Sequence, residues 1–459
     1  MDQTKTKSTG SRATLSKFFV SNPTVSFVRF CSMNLASAIR VSVMPKESAL
    51  DIADRGFFAS SGTSFSAAST AMDTLIWDNL SLGFDDIIPD WDSLRICTFY
   101  PAHAMVMCAV REPLEPEIKD SDSGGDVSMA TYDGFDLCPK TILFKQVARA
   151  AKSGQNILIG LELELLLYES GMDFTRSRTY ACSYNTSSLH GKYAPVMDEI
   201  VLDIGNAGIK VLKYHPEGST DGVFEIVLAP YPPMEAADAM IFCRETIKTV
   251  AKKHGLEATL MPMPFEKGPP RIGAHTNVSI SDPSNGNAHH FLAGVLDSLV
   301  AISAFAMPSI ESGSRANRWV QWGRLNKGCL VNERREGFWE IRCPDGTMNP
   351  YLTFAAIIAS GMTGVETKKE LTLKPINGLS MDMETLTDDE RKNFGIKHNI
   401  SDSLGVLVDA LKDDKLLRNA EYGFGERFVK FYSTVKTKEI EDGQPMTVLE
   451  RKERLRHLF

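Results

Sequence analysis

The residues whose chemistry stands out are acidic and lie on segments that otherwise resemble apolar β-strands. In the segment GLELELLLYES, Glu162 and Glu164 are two positions apart, so in a strand both side chains project from one face and the leucines from the other. Two neighbouring buried carboxylates repel each other and become protonated unless cations compensate their charge. The pair therefore predicts either a solvated strand face or part of a metal site.

Four further side chains of the metal-ligand type occur on other strand-like segments. Glu217 and Glu225 flank a glycine-containing turn, His275 lies on an apolar strand, and Glu340 stands between two apolar residues. Each alone is explained by a satisfied polar residue or an exposed strand face. Together, five carboxylates and one imidazole are typical of a site for Mg²⁺ or Mn²⁺.

Paired divalent cations suit phosphoryl transfer because they neutralise phosphate charge and align the reacting oxygens. The chain has no P-loop and no GxGxxG motif, so metals and side chains would have to hold any nucleotide phosphates. The residues alone thus indicate a metal-dependent enzyme that acts on phosphorylated substrates.

The elements that must position these residues follow from apolar periodicity. Strands are predicted to begin at Val25 and Ile39 and to continue at 94–100 and 104–110, which makes the first part β-rich. We predict a flexible N-terminus at 1–24, a small β-rich domain at 25–116, an acidic Gly/Ser-rich linker at 117–136 and an α/β domain at 137–459. Within that last domain we predict helices at 141–153, 234–255, 289–306 and 350–364, strands at 156–170, 222–230, 273–281 and 338–343, and a helical tail from 401.

Composition excludes several classes of protein. The net charge of −8 and the lack of a basic cluster argue against a nucleic-acid partner. The longest nearly uncharged stretch, around 299–310, is shorter than the roughly 20 residues of a membrane span, so no membrane partner is expected. Eight scattered cysteines without a CxxC pair indicate reduced core thiols and a cytoplasmic location.

Several motifs together resemble those of the glutamine synthetase superfamily over about residues 25 to 455. The segment GLELE resembles the family's G-x-E-x-E-F strand, HPEGSTDGVFEI its H-x-E-(x)-G-Q-x-E-I segment, GAHTNVS its G-M-H-x-H-x-S strand, WEIRCPDGTMNPYL its E-x-R-x-P-D-x-x-x-N-P-Y-L run, VRFCSMNLASAIRVSVMP its V-R-x-x-F-x-D-x-x-G motif and MTVLERKERL its MT-x-x-ER tail.

This resemblance implies an α+β fold with a small β-grasp-like N-terminal domain before a glutamine synthetase-like α/β catalytic domain. It also implies ATP, two or three Mg²⁺ or Mn²⁺ ions per site, and a homo-oligomeric ring, a decamer or dodecamer, with sites between subunits. By position, one metal would be held by Glu164, Glu217 and Glu225 and another by Glu162, His275 and Glu340; Arg342 and Arg315 would be catalytic and bind the substrate carboxylates with Gly273 and Asn34; Lys327, Asn277, Ser279 and Asn332 would lie at the nucleotide.

Departures from the family motifs cluster on the ammonium and phosphate sides. Asn34 stands where the family has an aspartate that binds and deprotonates ammonium, and the flap after Arg315 is short and lacks the family's glutamate. Lys327 and Asn332 replace two phosphate-binding arginines, while Trp319 and Trp322 could line an amine pocket or pack at an interface. The expected activity is an ATP-dependent ligase that joins glutamate or a similar carboxylate to an organic amine through an acyl-phosphate. The alternatives are glutamine synthetase itself, a non-catalytic structural or regulatory relative, and another phosphotransferase.

Overall fold

The structure is a computed structural model. It describes residues 4–61, 69–71, 74–76, 83–112, 136–175, 183–218, 220–313, 319–377 and 386–459. Most of the predicted linker and the position of Arg315 lie outside the described residues.

The N-terminal part forms a five-stranded sheet with the order β2-β1-β5-β4-β3. Strands β1 and β5 are parallel neighbours and the other pairs are antiparallel, which confirms the small β-grasp-like domain. Its elements are α1 (Thr4–Ser21), β1 (Phe27–Met33), β2 (Ile39–Pro45), α2 (Lys46–Arg55), β3 (Phe58–Ser61), β4 (Phe84–Ile96) and β5 (His103–Arg111).

The two faces of this sheet bury alternate residues in different cores. On β1, Val28 and Phe30 pack with residues of α1 and α2, whereas Cys31 and Met33 join the core of the larger C-terminal part. The sheet is therefore a layer between its own helices and the rest of the molecule.

Helix α1 corrects the expectation of a flexible N-terminus. Leu15 and Phe19 are buried in the N-terminal core, with exposed fractions of 0% and 3%. Apolar residues do not recur along the whole segment, and the buried ones lie only near the end of the helix. The Lys- and Ser-rich composition of the segment therefore gave no indication of a buried helix.

The larger C-terminal part is built on a second sheet with the order β11-β12-β13-β10-β6-β8-β7, and β9 pairs with β6 outside this order. Its strands are β6 (Ile157–Glu169), β7 (Val211–Pro216), β8 (Val223–Leu228), β9 (Leu256–Thr259), β10 (Ala274–Ile280), β11 (Trp322–Arg324), β12 (Val331–Arg335) and β13 (Phe338–Ile341). Its helices are α3 (Pro139–Lys152), α4 (Ala194–Asn206), α5 (Pro233–Lys253), α6 (Asn287–Asp297), α7 (Leu299–Ala306), α8 (Pro350–Glu366), α9 (Asp388–Phe394), α10 (Leu404–Asp413), α11 (Glu426–Gly443) and α12 (Val448–Leu458).

One predicted helix is divided. The segment 289–306 contains α6 and α7, which meet at Ser298 with a bend of 69°. Both halves are apolar, so periodicity alone does not show the break. Among the described helices, none is by itself long and apolar enough to cross a membrane, and only this bent pair reaches that length and composition when its halves are counted together.

A buried ion-pair group ties the two parts of the chain together. Lys140 on α3 lies 2.9 Å from Asp238 on α5 and 3.0 Å from Asp90 on β4 of the N-terminal sheet. Removing one member would leave a buried charge uncompensated, so the group fixes how the N-terminal sheet sits on the larger C-terminal part.

Candidate active site

Strand β6 places its two glutamates on the face of the sheet that the core does not use. Leu161, Leu163 and Leu165 are fully buried in the main core, and Glu162 and Glu164 alternate with them on the opposite face. The predicted shared face is therefore present, on a strand with neighbours on both sides.

Cross-strand pairing brings other predicted residues onto this face. Glu164 is the register partner of Glu225 on β8, and Glu162 is the partner of His275 on β10. His275 Nδ1 lies 3.5 Å from an oxygen of Glu162, and His275 Nε2 lies 3.9 Å from an oxygen of Glu164. Like charges directly opposite in a sheet are destabilising, so a bound cation would stabilise the Glu164–Glu225 pair.

The same face continues onto β12 and β13. Asn277 is the register partner of Glu340, which is also the partner of Asn332. Glu340 is 1% exposed, and one of its oxygens lies 3.7 Å from His275 Nδ1. Glu340 thus joins the cluster from the far side of β10.

His215 is a site residue that the sequence prediction did not select. Its Nε2 lies 3.2 Å from Glu225 and its Nδ1 lies 3.4 Å from Glu217, and the exposed ring of Tyr184 stacks on it at 4.0 Å. The signal was present in the segment HPE, because His215 and Glu217 are two positions apart at the end of a strand.

Ligand-type atoms lie close enough together to hold cations in two overlapping groups. In each group the donor atoms lie within 4.8 Å of one another; the groups are Glu162, Glu225 and His275, and His215, Glu217 and Glu225. The predicted partition differs, because it assigns Glu225 to one metal only and omits His215. Glu225 belongs to both groups and lies at their junction.

The electrostatics of the cluster reflect crowded negative charge. Burial, together with the charges of Glu162 and Glu164, raises the pKa of Glu225 to about 8. Burial also acts to raise the pKa of Glu162, but the nearby His275 imidazole and a hydrogen bond from Asn277 outweigh it and lower that pKa to about 2. One carboxyl of the cluster therefore takes up a proton where a bound cation would otherwise supply the positive charge.

These residues fit divalent cations. The donors are carboxylate oxygens and imidazole nitrogens, which suit Mg²⁺ and Mn²⁺, and the buried His275 Nδ1 has no hydrogen bond among the described residues. The opposed glutamates supply the unbalanced charge that such cations would offset.

Arg342 lies beside the cluster as predicted. Its Nη1 donates to Glu340 Oε1, its side chain is 17% exposed, and its buried Nε has no partner among the described residues. Glu162, Glu164, Glu225 and Glu340 lie on one face of the sheet, which we call the carboxylate face. The Arg342 guanidinium lies at the edge of this face, where it could bind a substrate oxygen. The second predicted arginine, Arg315, lies outside the described residues.

Of the two other residues predicted to bind substrate, Gly273 contacts the cluster, whereas the Asn34 side chain bonds to its own loop. Gly273 adjoins the cluster, because its N–H donates to Glu164 Oε2 at 2.8 Å. Asn34 is buried in the loop after β1, where its side-chain oxygen accepts from the N–H groups of Ala36 and Ala38 at 3.1 and 3.0 Å. The Asn34 side chain therefore organises its own loop within this subunit.

Two of the residues predicted to lie at the nucleotide donate hydrogen bonds to carboxylates of the cluster. The Asn277 amide donates to Glu162 at 3.0 Å, and the Asn332 amide donates to Glu340 at 2.9 Å. Ser279 follows Asn277 on the same face, and Lys327 is exposed between β11 and β12. Both asparagines thus orient ligand-type side chains, a role that fits metal chemistry.

The two tryptophans that could have lined an amine pocket are packed in the fold. Trp322 is 3% exposed and donates to the carbonyl of Leu373 at 2.9 Å, and Trp319 packs against the Arg391 guanidinium at 4.5 Å. Both tryptophans therefore make contacts within this subunit, and neither the amine pocket nor the interface is tested by them.

Comparison with known proteins places this arrangement in a family. A family model described as the catalytic domain of glutamine synthetase matches residues 136–453, well over half of the chain. The chain belongs to the glutamine synthetase family. The resemblance inferred from the motifs is thereby confirmed.

Curated relatives agree with this membership. Protein fluG of Emericella nidulans is 31% identical over 322 residues, which are 67% of this chain but only 36% of fluG. The match therefore spans little more than a third of fluG. The glutamine synthetases of Pyrococcus abyssi and Rhizobium meliloti are each 28% identical, over 64% and 66% of this chain and 69% and 73% of theirs.

Solved structures of the glutamine synthetase fold extend the likeness to the N-terminal part. A complex of GmaS with ADP has a TM-score of 0.74 and 23% identity, and covers 96% of this chain and 99% of that one. GmaS without ligand gives 0.75 and 22%, over 96% and 98%. These likenesses show that both parts of the chain adopt the fold of glutamine synthetase-like proteins.

Proposed function

We propose that this protein is an ATP-dependent ligase that joins glutamate, or a similar carboxylate, to an organic amine. The observation that carries the proposal is an asymmetry within one molecule. One face of the catalytic sheet brings carboxylates and imidazoles together in two groups that could each hold a cation, whereas the position of the family's ammonium-binding aspartate holds the neutral, internally bonded Asn34.

The reaction has two steps. A substrate carboxylate oxygen attacks the γ-phosphorus of ATP, which forms an acyl-phosphate and releases ADP. The amine nitrogen then attacks the acyl carbon, and phosphate leaves as the nitrogen loses a proton. Phosphorylation in the first step turns a carboxylate oxygen, which is a poor leaving group, into phosphate, which is a good one.

The chain's own residues supply binding and charge. Arg342, at the edge of the cluster, would hold the activated carboxylate, while Asn277 and Asn332 keep Glu162 and Glu340 oriented. Bound divalent cations would neutralise the phosphate charge. They would be held by Glu162, Glu164, Glu217, Glu225, His275 and Glu340, with His215 beside them.

An organic acceptor follows from what Asn34 lacks. A neutral amide neither attracts a cation by charge nor accepts its proton as a general base, so ammonium loses the two aids that the aspartate gives in the family. An amine with an apolar body gains binding from burial, at about 25 cal/mol per Å² of apolar surface.

We further propose that the protein works in the cytoplasm on small molecules as a ring of identical subunits, a decamer or dodecamer. The family resemblance and the free, buried cysteines of the described residues support this setting.

Product analysis tests the reaction class. The full-length protein is incubated with ATP, Mg²⁺, glutamate and a panel of primary amines, and the products are identified by mass spectrometry. We expect ADP, phosphate and a γ-glutamyl amide in equal amounts, and we expect the Glu164→Gln variant to form all three at least about 100-fold more slowly. The curated relatives named glutamine synthetase favour a second candidate, and glutamine as the main product would select it.

A further inference from the structure

None of the residues predicted to lie at the nucleotide, Lys327, Asn277, Ser279 and Asn332, carries a guanidinium group. Asn277 and Asn332 donate to carboxylates, and Lys327 offers a single point charge from an exposed turn. A planar guanidinium binds phosphate through two parallel hydrogen bonds, which neither an amide nor an ammonium provides. One arginine that none of the motifs marks, Arg334, lies beside the carboxylates.

Strand β12 is irregular next to the carboxylate face. Glu333 pairs with Trp339 and Arg335 pairs with Phe338, so the register shifts between them and Arg334 is the additional residue. Such a bulge redirects a side chain and is common beside active sites.

The bulge directs Arg334 to the cluster. Its Nη1 lies 3.2 Å from Glu340 Oε2, on the side of Glu340 that Arg342 does not contact. The Arg334 side chain is 41% exposed although it makes this contact, so it is partly accessible from solvent.

The neighbouring arginines are engaged elsewhere. Arg335 lies over the ring of Phe338 at 5.7 Å, and Arg324 pairs with Glu333. Of the arginines described on β11, β12 and the turn between them, Arg334 is therefore the one that reaches the carboxylate face.

We propose that Arg334, directed onto the carboxylate face by the bulge in β12, binds the terminal phosphates of the nucleotide and replaces the guanidinium that Lys327 and Asn332 do not provide. This inference rests on the proposed function, because it takes the ligand of the cluster to be ATP. Glu340 holds one edge of the guanidinium, and the exposed edge donates to phosphate oxygens.

Nucleotide binding to the full-length protein in Mg²⁺ tests the inference without turnover. Calorimetry measures the affinities for ADP and for adenosine in the wild type, Arg334→Gln, Arg334→Lys and the matched control Arg335→Gln. We expect Arg334→Gln to weaken ADP binding by about tenfold or more, the loss of one charge-assisted interaction, and to leave adenosine binding unchanged. Arg334→Lys should recover part of the loss, and Arg335→Gln should bind ADP like the wild type.

A positioning role through Glu340 gives a different result. Mn²⁺ binding without nucleotide, followed by electron paramagnetic resonance, should be the same in Arg334→Gln and the wild type. The inference is overturned if Mn²⁺ affinity falls as far as ADP affinity, or if ADP affinity does not change. A wild-type protein that binds no ADP would overturn the proposed ligase function first, and this inference with it.

Discussion

Glu164 faces Glu225 across two paired strands, so its removal breaks a site that depends on balanced charge. We predict that Glu164→Gln lowers ATP turnover by at least about 100-fold, because metal affinity falls when a ligating carboxylate becomes a neutral amide. Glu169→Gln is the matched control: Glu169 lies on the same strand, 66% exposed and paired with Lys192. ADP release and Mn²⁺ binding are the measurements. Turnover by Glu164→Gln equal to that of the control would show that the cluster is not a metal site.

Glu225 makes a prediction about pH. Its pKa in the folded protein is about 8, above the ordinary 4.5, so the folded protein binds this proton more tightly than the unfolded chain does. The resulting stabilisation is complete below pH 4.5. That contribution is lost as the pH rises from 4.5 through about 8. With a chelator present, the free energy of unfolding of the wild type should therefore decline relative to Glu225→Gln over this window.

Denaturation with urea at pH 5, 6, 7 and 8 measures this difference, which should change by no more than about 1.4 kcal/mol per pH unit. Glu162 does not contribute there, since its pKa is lowered to about 2 and its effect falls at more acid pH. Saturating Mg²⁺ should flatten the wild-type curve. Parallel curves for the two chelated proteins would contradict the prediction.

For single residues, the sequence indicated which side chains could form a site, but not all the contacts that these side chains make. The spacing of Glu162 and Glu164 defines a shared face by itself, because strand periodicity is local. The hydrogen-bond partners of Asn277 and Asn332 depend on the register between strands that are distant in sequence, so they could not be predicted. The direction of the Arg334 side chain depends on a bulge, which the sequence does not show either.

Helix α1 carries a prediction about the N-terminal element. Leu15 is fully buried against the N-terminal sheet, so Leu15→Ala should cost about 2–5 kcal/mol of stability. Val20 lies in the same helix but is 81% exposed, and Val20→Ala should change stability by less than about 0.5 kcal/mol. Urea denaturation followed by circular dichroism compares the two. Equal midpoints would mean that α1 does not belong to the folded core.

Four of the eight strands of the catalytic sheet, β6, β8, β10 and β13, were predicted from their apolar runs, whereas β7, β9, β11 and β12 were not. The errors have local causes. The segment of α1 buries only a few side chains, and the junction of α6 and α7 at Ser298 has the same apolar composition as the helices that it separates.

The edge of the N-terminal sheet bears on assembly. Strand β2 is one of the two outer strands of that sheet, and its Val41 and Val43 are 50% and 48% exposed. An apolar edge strand is suited to a neighbouring subunit. We predict that Val43→Lys lowers the mass of the assembly in light scattering, whereas Val406→Lys, at a valine 52% exposed on α10, does not. An unchanged assembly for Val43→Lys would remove this edge from the interface.

The choice of acceptor tests the whole account most directly. The measurement is kcat/KM for ammonium chloride against a panel of alkyl, aryl and amino-acid amines, at neutral pH with saturating ATP, Mg²⁺ and glutamate. This ratio reports how the transition states are discriminated. We predict that at least one primary organic amine exceeds ammonium by tenfold or more, because Asn34 gives ammonium neither charge nor a base. Ammonium exceeding every amine by tenfold would contradict the account and identify the protein as a glutamine synthetase in activity as well as in family.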